Sequence, residues 1–342
     1  GNVTINGLLT GSGSTTIFDA DDHNNTISGG TIDDAVTFTT GSAATWTLLG
    51  DLTITGDMTI SSDCTVSAGT YDLSVSGHII ADGSLQMAEG SRLLLGNNKT
   101  AHFRSGSSLE LAGTNTANCR LATADSAHFA NLSIDGDLTA NYVTVNDLTG
   151  AGLSIGRNAT ISNFSNITFG DFAVRREASF VTVRLEALTN SGGLTSSGCV
   201  FNDATGFTKY NVTTLPAGEG AADYWGFTDA GGNLDGEYFD NDDGNPGTIN
   251  WDRGAYDPLA VYYSVGADTT ALYEGTGAAS NGTLTLDSDS GLDVGVGDEV
   301  SVSGNTYYIT SRAGGTSFSI QSANDAYHLP GATNITFSNQ NV

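Results

Sequence analysis

The chain has 342 residues, with 38 acidic and 11 basic side chains, a formal charge of −27 and a pI near 4.1. This balance argues against nucleic acid and anionic membrane surfaces as partners, because both require a basic protein surface. No run of about 18 apolar residues occurs, so no membrane-spanning segment is predicted. Many carboxylate, hydroxyl and amide side chains with very little lysine are typical of an extracellular or cell-surface protein.

Residues 1–50 contain short β-branched runs separated by Gly, Asp and Asn, such as Val3-Thr4-Ile5 and Val36-Thr37-Phe38. This pattern predicts short strands with turns between them. A stack of coils exposes unpaired strand edges at its end. We therefore expect residues 1–50 to form the opening coils or an N-terminal cap of such a stack.

Residues 51–215 are predicted to form a parallel β-helix, because apolar and hydroxyl residues alternate there in short runs. Ile54, Ile60 and Val66 are evenly spaced, with turn signals at Gly56-Asp57 and Ser62-Asp63 between them. A spacing this short indicates consecutive sides of one coil. The apolar residues are expected to point inward and the hydroxyl residues outward.

Residues 131–190 divide into three similar blocks, which begin at Asn131, Ala151 and Asp171. A unit of about twenty residues cannot bury its apolar face alone, so the blocks are predicted to stack and pair their backbones. Each block opens on two apolar residues at alternate positions. These pairs are Leu132 and Ile134, Leu153 and Ile155, and Phe172 and Val174.

Proline and helix signals agree with a continuous stack. All 4 prolines lie beyond residue 215, as expected where strands are hydrogen-bonded on both sides. Residues 173–188 have a helix-like composition. Apolar residues nevertheless alternate at Val181, Val183 and Leu185, so this segment is predicted to be a strand.

Residues 216–258 are predicted to be an irregular acidic cap or connector. Alternating carboxylate and amide oxygens around a glycine are the ligands that Ca²⁺ prefers. The segment therefore contains a candidate calcium site, or a solvated acidic loop, formed by Asp235, Asp240, Asp242, Asp243 and Asn245. A second candidate of the same kind comprises Asp19, Asp21, Asp22, Asn24 and Asn25. No other cofactor is predicted.

Residues 259–342 are predicted to form a small antiparallel β barrel or sandwich domain. Its expected strands are 261–265, 283–286, 299–302, 306–309, 317–320 and 335–337, and Ser303-Gly304-Asn305 predicts a hairpin turn. The predicted fold class is therefore all-β, a parallel β-helix (solenoid) followed by this small domain.

Few residues suggest catalysis. Cys64, Cys119 and Cys199 form no CxxC motif and are interpreted as small apolar core residues, with one disulfide as the alternative. Polysaccharide lyases and hydrolases also use parallel β-helices, but they need clustered carboxylates, beside a basic residue in the lyases. No such block is recognisable near the arginines of the coils. We therefore predict a protein without enzymatic activity, with polysaccharide cleavage as an alternative.

The coils from Asp51 to Phe201 resemble the right-handed parallel β-helix repeats of large bacterial surface proteins and adhesins. Runs such as ANLSIDGDLTANYVTV and ATISNFSNITF carry the resemblance. The later run VGVGDEVSVSGNTYYI is similar to the small β modules that follow such repeats. The resemblance implies an elongated, surface-displayed or fibrous role and carries over no catalytic residues.

Two functions follow from these predictions. The first is a structural subunit of an extracellular filament, sheath or cell-surface appendage that polymerises head to tail with copies of itself. A solenoid end is a template for another chain, and a head-to-tail contact that does not close gives a filament. The second is a carbohydrate-binding adhesin or a phage tailspike-like receptor binder. Its sugar-stacking residues would be Tyr71, Trp225, Tyr238, Trp251 and Tyr256, although core packing is the favoured interpretation of the two tryptophans.

Overall fold

The computed structural model describes residues 2–251 apart from 6, 12, 21–23, 125–129, 171–177, 203–207, 216–222, 233, 237–238 and 243–247. It also describes residues 271–338 apart from 281–282, 291–293, 295–297 and 323–334. The chain divides into two compact units, Gly1–Tyr256 and Asp257–Val342. Each unit has a hydrophobic core of its own.

The first unit is a parallel β-solenoid of about 9 turns, here called coils. The predictions of an all-β chain and of a parallel solenoid are confirmed. Each of the first six coils contributes one strand to each of three faces. In chain order the strands are β1 (Asn2–Val3), β2 (Leu8–Leu9), β3 (Thr15–Ala20), β4 (Asn24–Ile27), β5 (Gly30–Ile32), β6 (Ala35–Thr40), β7 (Ala44–Leu48), β8 (Leu52–Ile54), β9 (Met58–Ile60), β10 (Cys64–Gly69), β11 (Leu73–Val75), β12 (Ile79–Ala81), β13 (Ser84–Met87), β14 (Arg92–Leu95), β15 (Thr100–Phe103), β16 (Ser108–Ala112), β17 (Cys119–Thr123) and β18 (Ala130–Ile134).

The later coils are built from longer strands. They contain β19 (Asp137–Val145), β20 (Leu148–Ile155), β21 (Thr160–Phe169), β22 (Ala178–Arg184), α1 (Leu185–Ser191), β23 (Leu194–Ser197), β24 (Val200–Phe201) and β25 (Thr208–Leu215). Strand β19 pairs with β16 on the first face and with β17 on the second, and so joins these faces into one 15-stranded sheet. Tyr142, with φ of 52°, turns the corner between the two pairings within a single residue.

Burial along the strands follows the predicted alternation. In β8, β9 and β10 the apolar residues are buried, and the hydroxyl residues between them are partly exposed. Ile54, Ile60 and Val66 lie on three consecutive strands around the coil, and each is fully buried. Burying a side chain of this size stabilises the fold by about 1.5–3 kcal/mol. The spacing of the three residues therefore identified the three sides of a coil correctly.

The stacking of the repeated blocks is confirmed for the first two blocks. Leu132 pairs with Leu153 and Ile134 with Ile155 between β18 and β20. The register of the third block differs from its prediction. Leu153 and Ile155 pair with Val181 and Val183 of β22, whereas Phe172 and Val174 lie outside the described residues. The chain from Leu153 of the second block to its partner Val181 is longer than the repeat of about twenty residues predicts.

A short helix replaces the end of one predicted strand. The strand prediction holds for Val181 and Val183, but Leu185 begins α1, which buries Leu185, Ala187 and Leu188. The helix ends at Gly192, whose φ of 70° is the left-handed conformation that glycine adopts at low cost. Its Ser191 Oγ accepts a hydrogen bond of 2.8 Å from Ile161 N. The helix thus satisfies backbone groups of β21 that a further strand would otherwise pair.

The tail of the solenoid is a three-stranded parallel sheet, in which β23 pairs with β26 (Trp225–Thr228) and β26 pairs with β27 (Ile249–Trp251). Both added strands lie within residues 216–258, for which an irregular connector was predicted. Their inward side chains, Trp225, Phe227, Ile249 and Trp251, are buried. The tail therefore ends in an aromatic layer over the solenoid core.

The second unit is a single antiparallel sheet with the curvature of a half-barrel. Its strands are β28 (Ala271–Gly275), β29 (Gly277–Ser280), β30 (Thr283–Leu286), β31 (Glu299–Val302), β32 (Asn305–Gly314), β33 (Ser317–Ser322) and β34 (Ile335–Ser338). The hairpin prediction is confirmed, since Val302 pairs with Asn305 and both Ser303 and Gly304 have positive φ. The predicted strand 261–265 lies outside the described residues.

Candidate functional site

Three of the five residues predicted to bind calcium, Asp235, Asp240 and Asp242, are described, and the last two accept hydrogen bonds within the protein. Asp240 Oδ2 accepts the indole N–H of Trp251 at 2.9 Å. Asp242 is 7% exposed, and its Oδ2 accepts the backbone N–H of Thr248 at 3.0 Å and of Ile249 at 3.3 Å. These carboxylates therefore hold β27 at the tail of the solenoid.

The described residues do not assemble a metal centre from these predictions. Asp243 and Asn245 lie outside the described part of the chain. Among the residues that are described, no group of three or more His, Cys, Asp or Glu side chains is placed to hold a metal ion.

The second calcium candidate is spread over two sheets. Asp19 is exposed on β3 of the third face, whereas Asn24 and Asn25 lie on β4 of the first face. Asn25 is fully buried and lies opposite Trp46 in the ladder between β4 and β7. Asp21 and Asp22 lie outside the described residues. The described members of this group therefore do not face a common point.

The tryptophans predicted as sugar-stacking residues belong to the core. Trp225 is fully buried and packs edge-on against Phe164, with ring centroids 5.0 Å apart. Trp251 is 9% exposed and stacks on Phe227 at 4.6 Å. Tyr71 is 36% exposed on the side of the solenoid, and Tyr238 and Tyr256 lie outside the described residues. The favoured interpretation of the two tryptophans as core residues is thus confirmed.

Cationic side chains of the coils pair with acidic side chains of the neighbouring coil. Arg92 forms an ion pair with Asp72, and its backbone N–H donates to Asp72 Oδ1 at 2.9 Å. The hydrogen bond and the charge of Asp72 raise the pKa of Arg92. Arg104 forms an ion pair with Asp82, and His102 Nε2 forms a hydrogen bond of 3.2 Å with Asp135 Oδ2. These pairs link successive coils and do not form a carboxylate cluster suited to catalysis.

The cysteines and one interior cavity are apolar. Cys64, Cys119 and Cys199 are buried free thiols, so the interpretation as core residues is confirmed. A cavity of about 10 Å³ lies in the core near Leu109, Ala140 and Phe164, and it has an entirely apolar lining. A void of this size holds about one water molecule at most, and an apolar void stays dry. It is a packing defect rather than a ligand site.

The head of the solenoid is formed by the first coil. The sequence predicts it only as part of the opening coils or cap, and does not identify its exposed apolar residues. Strands β1, β2 and β3 are each the last strand of their sheet paths. Leu8, Leu9 and Ile17 on these strands are 60%, 41% and 62% exposed. Hydrogen bonds join this coil to the second coil, as Asp33 N–H donates to Leu9 O at 2.8 Å, and they all lie on the side that faces the second coil. The described residues place no strand on its outer side.

The tail, in contrast, is covered by the described residues 231–232, 234–236 and 239–242. Gly231 O accepts Phe201 N–H at 2.8 Å, and Leu234 N–H donates to Phe201 O at 3.1 Å. The buried Asn211 Nδ2 donates to the carbonyls of Leu234 and Gly236, each at 2.9 Å. We call this segment the tail cap. It satisfies backbone groups of β24 and side-chain groups of β25 that would otherwise face outward.

Charge is distributed unevenly along the chain. Residues 1–91 contain eleven acidic residues and no Lys or Arg, and residues 210–256, at the end of the first unit, contain nine acidic residues and one basic residue. Residues 92–209 contain nine of each sign. The head and the tail of the solenoid are therefore both built from strongly acidic sequence, whereas the middle is balanced.

Two further findings concern the class of the protein. Among the described residues, no helix combines the length and the apolar character that crossing a bilayer requires. Comparisons of the chain with protein-family models, with curated proteins and with solved structures find no match.

Proposed function

We propose that the chain is a non-enzymatic structural subunit of an extracellular filament, sheath or cell-surface appendage. Copies assemble head to tail through the ends of the solenoid. The single observation that carries the proposal is the open head, where three edge strands and the apolar side chains of Leu8, Leu9 and Ile17 are uncovered. A soluble protein normally covers or charges such an edge, because it pairs readily with another strand.

The contacts between coils supply the energetic argument. Within the chain, each coil buries its apolar residues against the next and shares backbone hydrogen bonds with it. The head presents the same kind of surface, and the described residues place no preceding coil against it. Burying a fully exposed Leu or Ile contributes about 1.5–3 kcal/mol, so a few such side chains and an added strand ladder support a specific contact. Association in one direction that does not close on itself produces a filament.

The absence of an assembled chemical site among the described residues fits a structural role. The ionic pairs join neighbouring coils, and the carboxylates considered for calcium accept hydrogen bonds at the tail. Among the described aromatic residues that the glycan-binding alternative needs, Tyr71 is partly exposed and the two tryptophans are buried. The carbohydrate-binding adhesin therefore has less support than the structural subunit.

Sedimentation velocity of the full chain tests the proposal. Because both ends are acidic, we expect the sedimentation coefficient to increase with protein concentration, and to increase more when sodium chloride screens the repulsion. Electron microscopy of the same samples should show rods whose length grows with concentration. A chain that remains monomeric at high concentration in both low and high salt would contradict the proposal.

A further inference from the structure

The second face carries a row of four charged residues on successive coils. Asp51 precedes β8, Asp72 precedes β11, Arg92 begins β14 and Arg120 lies within β17. Asp51 Oδ1 accepts Asp72 N–H at 2.9 Å, and Asp72 Oδ1 accepts Arg92 N–H at 2.9 Å. Arg92 lies opposite Arg120 in the strand ladder. We call these four residues the charged row. Counted from the head, it presents two carboxylates and then two guanidinium groups.

The two outer members of the charged row have charges that the described part of the chain does not pair. Asp51 and Arg120 are exposed, and neither takes part in an ion pair among the described residues. The inner members, Asp72 and Arg92, pair with each other. The side chain of Arg92 is nevertheless 50% exposed, so it is accessible to a second carboxylate. The row therefore presents an unpaired charge at each end, and the two are of opposite sign.

An uncharged row of outward residues runs beside the charged row. It contains Thr31, Thr53, Ser74 and Leu94, each of which lies opposite the next in the ladder. All four are partly exposed. No side chain in this row is longer than leucine. This part of the second face therefore has low relief, and the face of another sheet can approach it closely.

Symmetry determines how a second copy would meet this face. A two-fold axis parallel to the strands, between the coils of Asp72 and Arg92, makes the two solenoids antiparallel. It sets Asp51 of one copy opposite Arg120 of the other, and Asp72 opposite Arg92, because the strands of both copies are spaced by about 4.8 Å. A two-fold axis along the solenoid and over the row would set each residue opposite its own copy. Only the antiparallel arrangement brings opposite charges together.

The charge of the flanking sequence changes sign at the same place. Residues 1–91 contain no Lys or Arg, and Arg92 is the first basic residue of the chain. The change therefore falls at the midpoint of the charged row. An antiparallel pair brings the acidic coils of one copy towards the coils that contain basic residues in the other. A parallel pair would bring the acidic coils of both copies together.

We propose that two copies of the chain pair side by side through their second faces, with antiparallel solenoids, and that the charged row sets this direction. An exposed ion pair contributes only about 0.2–1 kcal/mol. Opposed like charges cost more than that when an interface forms. The row therefore acts mainly by rejecting the parallel arrangement. This contact goes beyond the head-to-tail contact of the proposed function and does not depend on it.

Salt distinguishes the two contacts. Screening weakens the attraction across the charged row. Side-by-side dimers are therefore expected in low salt and should dissociate as sodium chloride is added. The head-to-tail contact has the opposite dependence on salt, because both ends of the solenoid are acidic.

Reversal of the outer charges in the full chain tests the contact. Asp51→Arg and Arg120→Asp each place two like-charged pairs across the two-fold axis. In an equimolar mixture of the two variants, the mixed dimer has opposite charges at both outer pairs. Asp137→Arg, at an exposed carboxylate of the first face, and Arg157→Asp, at an exposed arginine outside the second face, are the matched controls.

Sedimentation velocity in low salt gives the readout. Each reversal should weaken dimerisation at least about tenfold, which corresponds to 1.4 kcal/mol, even though Asp51→Arg lowers the net negative charge. The mixture should recover the dimers, and both controls should behave like the unmodified chain. Thermal melting checks that each variant is folded. Should Asp51→Arg fail to fold, Asp51→Asn keeps an oxygen to accept Asp72 N–H, and it should weaken dimerisation by a smaller factor.

Cross-linking of introduced cysteines checks the direction. Ser74→Cys of one copy faces Leu94→Cys of the other across the axis, so a short bis-maleimide should link these two variants when they are mixed. The two copies of Thr31→Cys would lie five strand spacings apart along the solenoid, ~24 Å, and should not be linked to each other. The native cysteines are buried and should react slowly in the folded chain.

The contrary results are specific. Single reversals that dimerise like the unmodified chain, or a mixture that does not recover dimers, would overturn the charged row as the contact. Linkage of Thr31→Cys to itself would show a parallel pair and would also overturn it. A chain that is monomeric in low salt but grows in high salt would overturn the side-by-side contact and support the proposed function. Low-salt dimers without growth in high salt would do the reverse.

Discussion

In the coils formed by residues 44–112, each face receives its own short strand, whereas in residues 137–215 the long strands β19 and β21 run across two faces. The first set, here called the narrow coils, repeats closely, as the pairing of Leu73 with both Leu52 and Leu93 shows. The second set, here called the wide coils, holds a helix, and the apolar cavity lies where Ala140 and Phe164 of the wide coils meet Leu109 of the narrow coils. A longer coil thus introduces an extra element, and the cavity lies at the junction with the narrow coils.

One glycine corner from each set of coils shows how much room is left for a side chain. Gly96 and Gly170 follow equivalent strand ends, since their N–H groups bond to Val75 O and Val145 O of the preceding coil. A Cβ on Gly96 would lie 2.0 Å from the backbone oxygen of Ser76. A Cβ on Gly170 would meet Asn146 Oδ1, a side-chain atom, at 2.9 Å. Gly96 therefore has no room for a side chain, whereas the corner at Gly170 accommodates one.

Alanine substitution at these two corners should give the largest effect. Gly96→Ala forces the backbones of two coils apart and should lower the free energy of unfolding by about 3 kcal/mol. Gly170→Ala requires a rotation of Asn146 and should change it by less than about 1 kcal/mol, because a lower entropy of the unfolded chain offsets the strain. Urea unfolding followed by circular dichroism measures both. Equal losses would show that the corners are alike.

Enlarging a buried alanine should give an intermediate effect. Ala81 lies between Ile60 and Phe103 in the narrow coils, so Ala81→Val overpacks the core and should cost about 1–3 kcal/mol. Ala140 lines the cavity in the wide coils. There, part of the added volume fills the void, and Ala140→Val should cost at least about 1 kcal/mol less than Ala81→Val. Thermal melting of the two variants side by side tests the difference, which would be absent if both regions were equally well packed.

The buried thiols should give the smallest effect. Burial raises the pKa of Cys64 to about 11 in the narrow coils and that of Cys199 to about 12 in the wide coils, from 9.0. Above pH 9.0 the unfolded chain loses these protons while the folded chain keeps them. The contribution of these thiols to the free energy of unfolding should therefore be constant below that pH and fall as the pH rises toward 11. Urea unfolding across this range measures the slope.

Thiol labelling extends the comparison between the two regions. At neutral pH the protonated, buried thiols should react with a disulfide reagent only when the structure opens. A stack that frays from its ends should expose Cys199, near the tail, at lower urea than Cys119 in the middle. Labelling of both cysteines at one urea concentration would show that the solenoid opens as a single cooperative unit.

Much of the fold could be predicted because alternation with period two determines which residues point inward. Ile54, Ile60 and Val66 gave the three sides of a coil, and Ser303-Gly304 gave the hairpin. The register of the third repeated block and the position of α1 could not be predicted. The register depends on the chain length between Ile155 and Val181, and the helix depends on packing against β21. An apolar pattern encodes neither of them.

The tail carboxylates show why the candidate site was harder to predict than the fold. Asp240 and Asp242 have the spacing and the oxygen atoms of a calcium loop, but the same oxygens accept hydrogen bonds from Trp251, Thr248 and Ile249. Sequence alone does not distinguish the two uses, because both require an acceptor on an irregular segment. The bridge between Asn241 and Thr213 left no sequence signal at all, since it depends on where residues 239–242 return to the sheet.

The ladder of the third face also defines a ruler. It crosses 9 strands, and neighbouring strands lie about 4.8 Å apart, so its eight intervals span ~38 Å. An aligned fibre of copies stacked along this ladder should therefore diffract on the meridian at about 4.8 Å. The subunit boundary would be revealed only by a longer period.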